Sequence, residues 1–199
     1  MPKTGPKRDL EAEERILSAT RGLICTKGPG QVTINEIAAE ALVGKQTIYR
    51  WWPSKSALVI DALERLFEDE NPFPETGTAK EDVRIQMRRV AKMFSSPTGS
   101  IIRELVAESQ GDPAVAEQFR VRFFAERRLR AAAALQAGVD RGQVRDGLDI
   151  EAAIDMLYAP LWLRMLIGHQ PLSQRSVDTI LDQAWPALGS PPLAPSASS

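Results

Sequence analysis

Lys45, Gln46, Tyr49 and Arg50 bring two cations, an amide and a phenol together within six residues. Wound as a helix at about 100° per residue, the four side chains share an arc of about 140°. Ile48 and Trp52 fall outside that arc, where they can anchor the helix to its neighbours. The outward chemistry is that of duplex recognition. Lysine and arginine neutralise phosphates or donate to guanine, glutamine pairs with the edge of adenine, and tyrosine reaches a phosphate or a thymine methyl. The bland alternative is a solvated polar face of the kind most surface helices carry.

The flanking residues decide between the two. Thr33 followed by Glu36 is a capping box, so a helix starts just after Thr33. Ile34, Ile37, Ala38 and Ala41 give it one apolar face. Gly44 caps the next helix, which Pro53 stops, and Ser54 caps the one after it. Two helices of about two turns each, joined this tightly, form a helix-turn-helix unit that lays its second helix in a DNA major groove.

The residues Thr33 to Ala38, then Val43-Gly44-Lys45-Gln46-Thr47-Ile48-Tyr49-Arg50-Trp51-Trp52-Pro53-Ser54-Lys55-Ser56-Ala57-Leu58, resemble the DNA-binding domain of the tetracycline-repressor (TetR) family of bacterial transcription regulators. Lys45 and Gln46 are the expected readers of base edges, with Arg50 beside them on the arc. The resemblance implies phosphate contacts from Thr33, Gly44 through its N–H, Thr47, Tyr49, Trp51 and Lys55. Leu42 departs from the pattern, standing where the family usually has a turn glycine. If that position needs positive φ, a leucine there costs about 1 kcal/mol or more.

The rest of the chain reads as further helices divided by Gly, Pro and Ser, about nine in all. A first helix spans about Asp9 to Lys27, with Ile16, Thr20, Leu23 and Ile24 inward, and a fourth carries Leu58, Ala62, Leu66 and Phe67 toward Asp69. The stretch 71–78 is the clearest break, which sets a DNA-binding domain at 1–70 and a second, all-helical domain at 71–188. Helices are expected there at about 78–94 and 99–109, in one long run from Asp112 to Arg141, then at 149–167 and 173–185. Pro160 lies inside the 149–167 helix and removes one hydrogen bond, so a kink is expected. The tail 189–199 is biased toward Pro, Ser and Ala and is expected to be disordered. The fold class is therefore all-α.

Segments Ala159 to Leu172 and Arg141 to Asp149 are similar to one branch of the same family. The resemblance implies a four-helix dimer interface from the last two helices, the eighth and ninth, and an effector pocket surrounded by the fifth to eighth. The residues agree with a dimer seam, because the 149–167 helix is apolar almost all round, which one small domain cannot easily cover. Trp162, Leu166, Val177, Ile180, Leu181 and Ala184 are its expected members. Met87, Phe94, Phe119, Phe123, Tyr158, Trp162 and Met165 are the candidates for an adaptable, mostly apolar ligand wall. Taken singly, a residue at such helical spacing is more often plain core.

Composition limits the other classes. Net charge is −1, so basicity is local: Lys3, Lys7 and Arg8 at the start, and Lys45, Arg50 and Lys55 around the second helix of the pair. Arg120, Arg122, Arg127, Arg128 and Arg130 form a further basic run, expected to be a solvated face. Cys25 is the single cysteine and is expected to be a small buried core residue; His169, the single histidine, is expected at a helix end or on the surface. Together they offer no metal-ligand spacing and no catalytic constellation, so no catalytic residue, cofactor or metal is expected. No apolar run approaches a membrane span and no apolar stretch follows the basic start, so the chain is expected to be cytoplasmic. The expected partners are palindromic operator DNA, a second copy of the chain, and a mostly apolar small-molecule effector that releases a repressor. The alternative is a constitutive dimeric DNA-binding or nucleoid-associated protein.

Overall fold

A computed structural model describes residues 9–70 and 73–189, the side chains of 66–70 excepted. The expectations for Lys3, Lys7 and Arg8, for the side chains of Leu66 and Phe67, and for the tail from 190 onward lie outside the described residues. Every regular element among the described residues is a helix, and extended pairing is confined to one antiparallel bridge between Val144 and Gly189. The helices are α1 (Leu10–Lys27), α2 (Ile34–Glu40), α3 (Lys45–Trp51), α4 (Lys55–Glu70), α5 (Ala79–Phe94), α6 (Pro97–Gly111), α7 (Pro113–Gln118), α8 (Ala125–Asp140), α9 (Ile150–Ile167) and α10 (Gln174–Leu188). A π-helical stretch, Phe119–Phe124, lies between α7 and α8 where one uninterrupted α-helix was expected. Such i→i+5 stretches are local insertions, and nothing in a 3.6-residue apolar period marks them.

The chain divides into two compact units. The first comprises Met1–Glu70 with Ser100–Phe124, the second Asn71–Gly99 with Ala125–Ser199. One division of the chain thus falls after residue 70, and residues 100–124 group with the first unit.

In the first unit, Ile16, Leu17 and Ile24 of α1, Ile37 of α2, Ile48 of α3 and Leu58, Ile60 and Leu63 of α4 are buried together with Ile101, Ile102 and Leu105 of α6. The caps act as the residue types require. Asp9 accepts from the amides of Glu11 and Ala12, and Ser54 accepts from that of Ala57. Cys25 is exposed, not buried. Its neighbour Ile24 takes the inward position, and one residue further on is about 100° round the helix.

The turn between α2 and α3 explains the cost of the unusual leucine. The Val43 N–H donates to the Ala38 carbonyl at 3.0 Å and the Leu42 N–H to that of Ala39 at 3.3 Å. This pair of bonds is a Schellman ending, which puts the residue between them in the left-handed region. Leu42 has φ 54° and is 85% exposed, so it bears the strain and gains no burial in return. Leu42→Gly is therefore expected to stabilise the protein by about 0.5–1 kcal/mol, the relief of strain being partly offset by glycine's greater freedom when unfolded. Urea midpoints of the two proteins check this, and a lower midpoint for the glycine variant would count against it.

In the second unit, α5 runs antiparallel to α10. Lys80 and Arg84 pair with Asp182 at 2.8 and 3.1 Å, and Arg88 pairs with Asp178 at 2.6 Å. The guanidinium of Arg88 holds the Asp178 carboxyl below the usual carboxylate range. Asp82 is buried and accepts from the Thr76 amide and hydroxyl at 2.6 and 2.7 Å, tying the preceding loop to α5. The Gln143 side chain clasps the same loop from the other side, donating to the Gly77 carbonyl and accepting from the Ala79 N–H, both at 2.8 Å. The N-caps expected at Asp149 and Ser173 are present, and α9 continues through Pro160 to a left-handed Gly168. His169 follows it, exposed.

Candidate nucleic-acid interface

Glu36 and Thr33 form the complete capping box. The Glu36 N–H donates to the Thr33 hydroxyl, and Glu36 Oε2 accepts from the Thr33 N–H at 2.9 Å. The other Glu36 oxygen accepts from Lys27 Nζ at 2.7 Å. Lys27 first, then the Thr33 N–H and hydroxyl, hold the Glu36 carboxyl down from 4.5 to about 2. The short α2 is thus fixed at its start by an ionised group and at its end by the Leu42 turn.

The seven residues of α3 then present the expected face. Lys45, Gln46, Tyr49 and Arg50 are all exposed, whereas Ile48 is fully buried and Trp52 is 1% exposed. The Arg50 guanidinium lies over the Trp51 ring, 5.3 Å from its centre, which steadies a long side chain at the rim of the arc. Thr33 and Gly44 are exposed as well, and Thr47 and Trp51 are half-buried. Lys55 is half-buried and donates to the Pro29 carbonyl at 2.8 Å, so one of its three N–H donors serves the loop before α2. Trp52 ends α3, and its indole N–H donates to Asp61 of α4 at 2.6 Å. The second Asp61 oxygen accepts from Arg122 of the π-helical stretch. No spacing in the sequence pairs Asp61 with Arg122, which stood out only as one member of the basic run.

The expected ligand wall is only partly assembled in one place. Met87, Phe94, Tyr158, Trp162 and Met165 belong to the second unit, where Phe94 and Trp162 meet edge-to-face at 4.8 Å. Phe119 and Phe123 are buried in the first unit, stacked on each other at 5.0 Å. Tyr158 is half-buried as a residue, but its hydroxyl is buried without a hydrogen-bond partner, as is the side-chain oxygen of Gln86. Desolvation pushes the Tyr158 phenol above its ordinary range. A separate open groove of about 640 Å³ runs beside α5 and is lined by Arg88, Arg89, Lys92, Leu172 and Gln174 among others. None of the seven expected residues lines it.

The expected dimer seam needs correction. Val177 and Leu181 are fully buried within the chain, and Trp162 is half-buried against Phe94. Val177 and Leu181 therefore have no surface to offer a partner; they form the inner face of α10. Leu166 is 43% exposed, and Ile180 and Ala184 are half-buried. Met156, Leu163 and Ile167, which were not singled out, are exposed on the same helix as Leu166. Apolar residues on every side of a helix do not show which face packs within the chain and which stays exposed. The arginines of the basic run form ion pairs: Arg120 pairs with Glu117, Arg122 with Asp61, Arg130 with Glu126, and Arg128 with both Glu151 and Asp155. Among the described residues no metal-ligating cluster occurs, and no helix is long and apolar enough to cross a membrane.

Comparison with known proteins agrees with this geometry. Residues 16–62 match the family model of bacterial regulatory proteins of the tetR family, and residues 73–184 match a tetracyclin repressor-like C-terminal domain. The chain is 39% identical over 183 residues to YdeS of Bacillus subtilis, an uncharacterised HTH-type transcriptional regulator, covering 92% of each chain. It is 32% identical to the TetR family transcription regulator SCO0332, whose crystal structure superposes with a TM-score of 0.83 over 88% of this chain and 97% of that one. FadR of Bacillus subtilis, solved in complex with stearoyl-CoA, shares the fold at 18% identity and a TM-score of 0.63, over 86% of this chain and 97% of its own. With its capped helix pair, its exposed polar arc and a match to both family domains, the chain belongs to the TetR family of DNA-binding transcriptional regulators.

Proposed function

We propose that the protein is a dimeric repressor that binds a palindromic operator through α3 and is released by a small-molecule effector. The observation that carries the reading is the division of α3, with Lys45, Gln46, Tyr49 and Arg50 outward while Ile48 and Trp52 are sunk in the core. Lys45 and Gln46 read base edges. Thr33, the Gly44 N–H, Thr47, Tyr49, Trp51 and the remaining Lys55 donors serve phosphates. Two copies meet through the exposed stripe of α9, joined by Ile180 and Ala184 of α10.

The effector site lies in the second unit, around Met87, Phe94, Tyr158, Trp162 and Met165. The buried, unpartnered Tyr158 hydroxyl and Gln86 oxygen support a ligand that is apolar in bulk and carries complementary polar atoms. The stearoyl-CoA held by FadR supports an effector of this character in the same fold.

Release requires the ligand to favour a state whose recognition helices no longer match the operator. Coupling of about 1–3 kcal/mol weakens DNA binding about 5- to 150-fold, and operator DNA must weaken ligand binding by the same factor. Calorimetric titration of acyl-CoA esters and other apolar or anionic compounds, with and without a duplex selected from random DNA, measures both sides. A ligand bound equally tightly in both titrations is no effector. A library that yields no binder at all replaces this reading with constitutive DNA binding.

A further inference from the structure

We propose that Asp61, gripped by Arg122 of the π-helical stretch, is the positioning residue that holds the recognition helix α3 in its DNA-reading attitude. The proposal rests on DNA being read by α3. A helix of seven residues has few internal hydrogen bonds to stiffen it, so its direction depends on what anchors it from below. Two side chains do so, Ile48 and Trp52. Ile48 is held by packing alone. Trp52 is also held by direction, because its indole N–H is a donor only and, once buried, must find an acceptor.

Asp61 supplies that acceptor at 2.6 Å, with its other oxygen committed to Arg122. A carboxylate bound on both sides cannot swivel, so the indole is fixed in orientation as well as depth. The Arg122 side chain is 47% exposed and that of Asp61 18%. With its guanidinium half in water, the ion pair itself adds modestly to stability, and its main physical effect is on the orientation of the more buried carboxylate. The site of Arg122 is also telling. An i→i+5 stretch turns each successive side chain through a smaller angle than an α-helix does. With Phe119 and Phe123 buried and stacked, that winding sets the direction in which Arg122 leaves the backbone. All three partners lie within one compact unit.

Charge makes the proposal testable against simple electrostatics. Asp61→Asn removes a negative charge from a DNA-binding unit, and Coulomb attraction alone would then tighten binding. Positioning demands the reverse. A neutral acceptor is weaker than an ionised one, and the grip of Arg122 is lost with it. Binding of Asp61→Asn and Arg122→Gln to a duplex enriched from random DNA by the parent protein is expected to weaken about 5- to 10-fold. Arg122→Lys should recover most of the loss. Arg120→Gln removes the same charge from the same stretch and should stay within about twofold of the parent. Amide exchange in Asp61→Asn should quicken in α3 and not in α1, with the unfolding midpoint nearly unchanged. Operator binding by Asp61→Asn as tight as the parent's, or tighter, overturns the proposal, provided Gln46→Ala still loses affinity. If Gln46→Ala is also neutral, the recognition-helix reading falls and the positioning role falls with it.

Discussion

Leu163→Asp is expected to convert the protein to monomers at micromolar concentration while leaving each chain folded. Met156, Leu163, Leu166 and Ile167 are 46, 54, 43 and 68% exposed, and at about 100° per residue they lie within an arc of about 100° on α9. An apolar stripe of this kind marks an interaction surface. In the proposed dimer a two-fold partner places the same stripe opposite itself. A carboxylate in such a seam is desolvated without a partner, at a cost of about 3 kcal/mol or more, and two-fold symmetry buries two of them. About 6 kcal/mol corresponds to a roughly ten-thousand-fold weaker dimer. Leu181→Ala is the contrast. Its side chain is fully buried within the chain, so truncation should lower stability by about 2–5 kcal/mol and leave association intact. Analytical ultracentrifugation with chemical denaturation separates the two effects. A Leu163→Asp protein that remains dimeric would remove α9 from the interface.

Gln46→Ala should cost about 1–3 kcal/mol of operator affinity, concentrated at a single base pair. Gln46 stands exposed on the arc, on a helix whose other side is sunk in the core, so its amide is presented without rearrangement. Lys55→Ala should behave differently. The phosphate contact proposed for it would carry no base information, so the loss should be similar for every sequence and the salt slope should fall by about one. Part of the Lys55 effect will be sequence-independent for a second reason, since its bond to the Pro29 carbonyl steadies the loop that leads into α2. Binding isotherms on duplexes varied one base pair at a time, at two or more salt concentrations, distinguish the roles. Equal losses for Gln46→Ala on operator and random DNA would end its assignment as a base reader.

What was readable in the sequence was local. The capping box at Thr33 and Glu36, the N-caps at Asp149 and Ser173, and the exposed arc of α3 all depend on residues within one or two turns of each other. The strained Leu42 was visible because a leucine stands where the resembled family has a turn glycine, and its φ is indeed positive. Contacts between distant residues left no such trace. Asp61 and Arg122 are 61 positions apart, and each alone is an ordinary charged residue on a helix. The inward face of α9 could not be told from its outward face because both are apolar. Ile24 was read as inward and is buried, whereas Cys25, similar in character and adjacent, was read as buried too although it lies about 100° further round the helix. The return of 100–124 to the first unit has no compositional mark at all.

The exposure of Cys25 has a practical use. It is the sole thiol of the chain, it lies on α1 beside the helix pair, and it is open to reagents. A maleimide spin label or dye would therefore attach at one defined point without any prior mutagenesis. In a two-fold dimer the labels form a pair, one on each DNA-binding module. The distance between them then becomes a direct ruler for the spacing of the modules, readable in free protein, on duplex and after addition of each candidate ligand. A distance distribution that narrows on DNA and broadens or shifts with ligand would follow the switch itself, independently of any affinity measurement.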